Sequence, residues 1–383
     1  MARTYLGMHF PLQYHLYEVF FWLSQQLAVD PFVVFKAANL PFDIGIFVLL
    51  VALLARAGAS VLYALVYWLH PWFVVVFGLG YIDFQLTFCI VLSIWLLQRG
   101  DSTLDYFIAG IPFAAAVLMK PQATLPCVAI AIYAAMCWRK TGKLDVACML
   151  IPVLLLEAVY EVYFAVALWP ILGARALAVL PASYARVGSF MPVLTAHMLN
   201  IWYPVAYVLK SPDAEIWTVS SKSFLLPHVQ IRFAALIFVT AVIAWYAFVL
   251  AWSTRPVGAA DRVRYLLTFA TFIVPAIATS AHENHLFAAS VLFVLLLGSA
   301  LARAARWAIH ALLAIQVVNL EGVYGMDFFA RWLRPIYSFE ARVALSLISV
   351  VCFFFVARAL YAAVRPEPLQ PQLAPAGSPT LSR

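Results

Sequence analysis

Apolar residues in this chain neither alternate nor recur on one helical face. They run on for whole helix lengths, interrupted by short polar punctuation. Eleven such runs can be marked: 43–57, 60–79, 82–97, 104–119, 122–138, 146–169, 231–252, 264–279, 286–301, 308–323 and 343–361. Several fall short of the roughly 20 residues that a perpendicular crossing wants, which a bundle tolerates through local thinning or protein neighbours. The pattern predicts an all-α, polytopic transmembrane helix bundle of about 11 spans. Before the first run, residues 1–42 read as an amphipathic, interfacial segment punctuated by Pro31 and Pro41. Runs one to six fill residues 43–169, a long loop with room for short helices covers 170–230, and runs seven to eleven occupy 231–364. The Pro-, Gln- and Ser-rich end, 365–383, reads as a disordered tail.

Composition agrees with a membrane solvent. Of 383 residues 66% are hydrophobic and only 11% charged, against roughly half and a quarter in soluble domains. The net charge of +7 is spread singly among apolar runs, so it carries topology rather than nucleic-acid binding. Cys89, Cys127, Cys137, Cys148 and Cys352 form no Cys-x-x-Cys pair and indicate neither a disulfide framework nor zinc.

Alternating the connections sorts the basic residues. One set holds Arg56, Arg99, Arg139-Lys140-Lys143, Arg255-Arg262-Arg264, Arg303-Arg306 and Arg358-Arg365; the other includes the long 170–230 loop and the His282 turn. The positive-inside rule makes the first set cytoplasmic and expects a multi-pass protein of the plasma (inner) membrane with its C-terminus inside. It also places residue 1 outside without a signal peptide, so the count expects one more span upstream of Met1.

Three polar stations then fall on the external face. Ser280-Ala281-His282-Glu283-Asn284-His285 joins two apolar runs with more ionisable chemistry than a linker needs. Asp83 and Gln85 stand at the mouth of the third run, and Lys120-Pro121-Gln122 forms the turn between the fourth and fifth. A carboxylate can act as general base toward a hydroxyl, an imidazole can orient or relay, and a cation can hold a phosphate at headgroup depth. Against this, Asp83 could merely cap a helix and Lys120 could merely snorkel to the interface. Glu157 and Glu161, four apart within the sixth run, suit a structural pair or a proton relay. His197 and Asn200 in the long loop, His9 and His15 beside Pro11, and Asp43 complete the candidates.

These pieces, in this order, resemble the GT-C glycosyltransferases, integral membrane enzymes that take sugar from a polyprenyl-phosphate carrier. Within that family they look most like bacterial mannosyltransferase-like or arabinofuranosyltransferase-like members. Phe10-Pro11-Leu12-Gln13-Tyr14 is similar to a Pro-Pro-Leu-x-x-Tyr stretch, and Lys36-Ala37-Ala38-Asn39 with Asp43 to the entrance of the second span. His70-Pro71-Trp72 through Asp83 is similar to the Asn-Pro…Gly-Gln-x-Asp segment. Leu118-Met119-Lys120-Pro121-Gln122 resembles the Lys-Pro-Gln turn, and His282-Glu283-Asn284-His285 the His-Glu-x-x turn. The likeness covers about residues 8–300.

The resemblance implies inverting transfer of a sugar, mannose first, from a polyprenyl-phosphate donor to a glycan, lipid or protein acceptor at the external, periplasmic side. Asp83, His282 and Glu283 would be catalytic; Lys120, Gln122, His285, Gln85, His9 and Tyr14 would bind substrate, with Lys120 and His282 on the donor phosphate. Membrane lipids would be partners, nucleic acid would not, and a divalent metal stays open. The family's usual base, an acid in its first external loop, has no counterpart here, and Tyr81-Ile82 replaces Gly-Gln before Asp83. The rival class is a transporter or flippase for a lipid-linked sugar or small solute, which would use Glu157, Glu161 and the Pro-broken runs. A third is a non-catalytic assembly partner derived from an enzyme.

Overall fold

The computed structural model describes residues 10–182, 192–255, 257–299, 303–324 and 338–365. His9 and the tail beyond residue 365 lie outside the described residues. Helix α1 (Pro11–Leu27) buries Pro11, Gln13 and Ser24 but leaves Phe21 and Trp22 more than half exposed, the arrangement an interfacial helix needs. Helix α2 (Pro31–Arg56) starts twelve residues before the expected Asp43. Asp30 explains the early start: its carboxylate accepts from Phe32 N at 2.7 Å, and Pro31 at the first helical position needs no N–H partner. Pro41 removes one ladder bond without ending the helix.

The run expected at 60–79 is broken. Helix α3 (Ala64–Leu69) and α4 (Pro71–Leu79) meet at His70, and the two halves bend by 49°. The residue before a proline is driven out of the helical region, and His70 is extended at φ −74°, ψ 129°. Its Nδ1 accepts from Trp72 N at 3.2 Å and so caps α4.

Next come α5 (Asp83–Leu97), α6 (Thr103–Met119), α7 (Thr124–Thr141) and α8 (Ile151–Leu172). The long connection after α8 holds α9 (Trp202–Leu209) and a small hairpin, Phe224–Leu226 paired antiparallel with Val229–Gln230. Helices α10 (Ile231–Trp252), α11 (Ala259–Ile277), α12 (Phe287–Leu297), α13 (Arg303–Tyr324) and α14 (Phe339–Val364) finish the bundle.

Among the described residues five stretches are long and apolar enough to cross a membrane, six if the bent pair counts as one; α5, α6 and α12 are apolar but shorter. By length and composition the helices account for five or six of the eleven expected crossings. The reason is burial. Every residue of α12 and eleven residues of α5 are buried, so these two form the axis of the bundle and meet protein on all sides. At 1.5 Å per residue they reach only about 17 and 22 Å, short of a ~30 Å hydrocarbon core. The lipid-like exterior falls to α8, α10 and α14, whose Leu154, Val159, Ile237, Phe248, Val351 and Phe354 stay exposed.

Close packing has a sequence signature. A Cβ on Gly110 of α6 would overlap the backbone carbonyl oxygen of Met149, in the 3-10 turn Asp145–Leu150. At the same end of the bundle, cations cap free helix carbonyls. Lys140 Nζ donates to Ala251 O at 2.7 Å and Arg262 Nη1 to Leu250 O at 2.6 Å. Arg255 Nη1 donates to Ala363 O at 3.2 Å.

Candidate functional site

Three connections at the opposite end of the bundle bring the polar stations together. Gly80 ends α4 in the left-handed region at φ 72°, which glycine adopts without strain, and the chain turns directly into Asp83. Lys120 closes α6 in an extended conformation imposed by the following Pro121. The 3-10 turn Glu283–Leu286 presents Asn284.

Lys120 Nζ donates to both carboxylate oxygens of Asp83, at 2.9 and 3.0 Å, and Asn284 Nδ2 donates to Oδ2 at 2.8 Å. Asp83 and Lys120 are 2% and 5% exposed. A pair this buried loses its hydration, and the short bidentate contact with a third donor is what such burial requires. Ile82, not Asp83, holds the N-cap position of α5, so the carboxylate does not serve as the cap. Lys120 likewise does not reach for the interface. Its charge is used on Asp83, and the cluster is close to neutral.

A carboxylate offers about four acceptor positions, and three are taken here. Beside it lies a cavity of about 20 Å³, lined by Asp83, Gln122, Thr271 and His285 with apolar groups of α5, α11 and α12. That is room for about one water-sized group. Gln122 Oε1 and Thr271 Oγ1 are buried without hydrogen-bond partners.

His285 is the titratable wall. Burial first, then His282 and the Lys120 ammonium, hold its imidazole well below the ordinary histidine range. Its Nδ1 accepts from His282 N at 3.2 Å, so the neutral ring carries its proton on Nε2. His282 stands beside His285. Its ring centroid is 5.1 Å from that of His285, and its backbone bridges to Ala196 and His197. Glu283 opens the 3-10 turn.

The long connection contributes directly. Residues 193–198 lie across the turn, with Ala196 N donating to Ala281 O at 3.0 Å and Ser280 Oγ to Val193 O at 3.1 Å. Asn200 Nδ2 donates to the carbonyls of Pro275 and Ala278 at the end of α11, at 3.0 and 3.1 Å. Those carbonyls would otherwise lack partners. His197, in the left-handed region at φ 70°, sets its ring 4.7 Å from Trp217.

From the other side α1 closes over the site. Phe10 N donates to Met119 O at 3.3 Å, just before Lys120. Gln13 Nε2 donates to Gln85 Oε1 at 3.2 Å, Gln85 Nε2 to Asn39 Oδ1 at 3.2 Å, and Asn39 Nδ2 to Tyr81 O at 3.0 Å. Gln85 is thus engaged on both amide atoms and ties α1, α2 and α5 together. Burial first, then the nearby Asp83 charge, raises the Tyr17 phenol above its usual range. Tyr14 is half-buried on the same helix, its ring 6.5 Å from Tyr17.

Asn284, Asn39, Gln13, Thr271 and Tyr17 were not singled out from sequence. Asn284 stood inside the quoted His282–His285 motif; the signal was there, masked by its ionisable neighbours. Glu157 and Glu161 are half-buried on α8, with Glu157 close enough to act on Cys127 of α7. Among the described residues no three His, Cys, Asp or Glu side chains gather as a metal site. The larger cavity, about 570 Å³, opens at the other end of the same α5–α11–α12 seam, beside Arg56, Gln98, Asp101, Asp261, Arg264 and Tyr265. A scan against protein-family models finds no match, and neither curated proteins nor solved structures give one.

Proposed function

We propose that the protein is an integral membrane glycosyltransferase of GT-C type. It moves a sugar, mannose first, from a polyprenyl-phosphate donor to a glycan, lipid or protein acceptor on the external side of the membrane. The observation that supports this most is the buried Asp83–Lys120–Asn284 cluster at one end of an apolar bundle, its carboxylate lining a small cavity together with Gln122, Thr271 and His285. The eleven-run, GT-C-like architecture belongs to the same reading, α5 and α12 counting as protein-sheltered passes.

In an inverting transfer the acceptor hydroxyl attacks the anomeric carbon. The bond to the phosphate oxygen breaks with its electron pair, and the hydroxyl proton goes to a base. The polyprenyl phosphate is a good leaving group, so the enzyme's work is to orient the hydroxyl and hold the phosphate. Asp83 accepts from the hydroxyl at its fourth position and takes the proton as the bond forms. Lys120 aims the Asp83 carboxylate, which moves it from the phosphate contact expected of it to the acceptor side. His285, neutral with its proton on Nε2, is the donor suited to the departing phosphate oxygen. Opening of the α1 cover would admit a sugar, which 20 Å³ does not.

The test uses native membranes from the parent organism and from a deletion strain, supplied with radiolabelled polyprenyl-phosphate sugars. A product lost on deletion and restored by the gene, but not by Asp83→Asn or His285→Ala, supports the transferase. Unchanged products with every donor remove it.

One observation favours a second reading. The outer pocket is small while the 570 Å³ cavity opens at the opposite end of one seam, as in a carrier caught facing the other way. A flippase for a lipid-linked sugar would show donor-independent translocation in proteoliposomes; absence of translocation with active transfer leaves the transferase alone.

A further inference from the structure

The cavity beside Asp83 is lined by groups whose hydrogen-bonding capacity is unspent. Of the two carboxylate oxygens, Oδ2 accepts from Lys120 and Asn284 while Oδ1 accepts from Lys120 alone, so the fourth acceptor position belongs to Oδ1. Thr271 is 7% exposed, and its Oγ1 has no hydrogen-bond partner. Gln122 Oε1 is a second buried acceptor in the same state. On His285 the Nδ1 is taken by His282 N, which leaves the Nε2–H as the ring's donor. The other walls, Leu86, Ile90, Val274, Pro275 and Ala288, are apolar and belong to α5, α11 and α12. Buried polar groups in native proteins are paired as a rule, with protein or with ordered water.

Size and charge name what fits. A cavity of about 20 Å³ holds one water-sized group, and a buried water takes two to four polar partners. A water donates twice and accepts twice. Here Asp83 Oδ1 and Gln122 Oε1 can receive its two protons, while the His285 Nε2–H and the Thr271 hydroxyl can fill its two lone pairs. A cation would add charge beside the Lys120 ammonium and meet the His285 N–H. An anion would face a carboxylate and an amide oxygen. Only a neutral group that both donates and accepts suits all four walls.

We propose that Asp83, Gln122, Thr271 and His285 form a binding site for one water, and that this water is the nucleophile when no acceptor is bound. The site stands on its geometry; its reactivity rests on the transferase reading. The water's place on Asp83 Oδ1 is the place that reading gives to the acceptor hydroxyl. Its oxygen attacks the anomeric carbon. The bond from that carbon to the phosphate oxygen breaks with its electron pair, and a water proton passes to Asp83. The products are free sugar and polyprenyl phosphate, so the protein is also an acceptor-independent hydrolase of its lipid-linked donor.

Occupancy is tested by X-ray hydroxyl-radical footprinting of the purified full chain, read by peptide mass spectrometry. A water held in the pocket labels Leu86 and Pro275, both buried from the outside. Thr271→Val keeps the shape and drops the hydroxyl, and should reduce that label about fivefold, as loss of one ordinary hydrogen bond does; Thr271→Ser should retain it. No label at Leu86 and Pro275, or a label indifferent to Thr271→Val, overturns the site. A label lost when sodium is exchanged for choline marks a cation and overturns it as well. Hydrolysis is read with polyprenyl-phosphate mannose in heavy-oxygen water without acceptor, free mannose being trapped by borohydride reduction. The heavy oxygen is expected on the former anomeric carbon; its recovery in the phosphate instead would show attack at phosphorus and overturn the step. Transfer to acceptor with no free mannose overturns the hydrolysis and leaves the transferase standing. A footprint with neither transfer nor hydrolysis from any donor removes the transferase and keeps the water site.

Discussion

At the scale of single residues, the Asp83–Lys120 pair should behave as a buried unit. Removing one member strands the other, and stranded buried charges cost about 3–5 kcal/mol. Asp83→Asn and Lys120→Met should each lower the thermal midpoint in detergent sharply. The double variant should recover part of the loss, because two neutral side chains no longer leave a charge alone. Equal or additive losses would show that the pair is not coupled. His285 sets a pH dependence of definite sign. Its folded-state value is depressed, so the unfolded chain binds the proton first as pH falls below the ordinary 6.5. Stability from this group is therefore complete above that pH and declines below it. His285→Gln should flatten the acid limb of a stability-against-pH curve between about 6.5 and the depressed value; an unchanged limb would assign the decline to another group. The ionisable half of this cluster was legible in sequence, since Asp83, Lys120 and the His282–His285 turn stand out in apolar surroundings. Its neutral half was legible only at Gln85 and Gln122. Asn284, Asn39 and Gln13 acquire meaning only from the partners that folding brings to them, 201, 46 and 72 residues away.

At the scale of elements, helix starts and breaks were written locally while helix roles were not. Asp30-Pro31 and His70-Pro71 state where α2 begins and where α3 gives way to α4, and both follow from proline geometry. Hydropathy alone could not distinguish α12, sheathed in protein, from α10, exposed to the surroundings, since both are apolar throughout. Contacts decide that, and with it the number of true crossings. Gly110 is a local residue with a non-local reason, the close approach of the Asp145–Leu150 turn to α6. Gly110→Val should push that turn away and destabilise the fold by about 1–3 kcal/mol, the usual range for overpacking. Gly78, whose Cβ would meet nothing within 4 Å, supplies the control as Gly78→Ala. Because Ala favours a helix more than Gly, Gly78→Ala should not destabilise, and comparable losses at both positions would mean that the α6 contact is not what is being measured.

At the scale of the whole molecule, the basic residues from which the positive-inside rule would orient the bundle also hold one end of it together. Lys140, Arg255 and Arg262 cap the carbonyl ends of α10 and α14, so their clustering has a structural cause as well as a topological one. A bias with two causes is weaker grounds for orientation than a bias with one, which makes sidedness the point to measure. Cys127, Cys137 and Cys148 are free and partly accessible, so they are first replaced by serine, while Cys89 and Cys352 are buried. Single cysteines are then placed at two exposed lysines, Lys222→Cys in the connection after α9 and Lys143→Cys after α7. With a membrane-impermeant maleimide, position 222 should label in intact cells and position 143 only after permeabilisation. That result puts the Asp83 cluster outside, on the side where a lipid-linked donor would meet an envelope acceptor. The inverse pattern would place Asp83 and Lys120 at the cytoplasmic face. An external transferase would then be excluded, whatever the chemistry of the cluster.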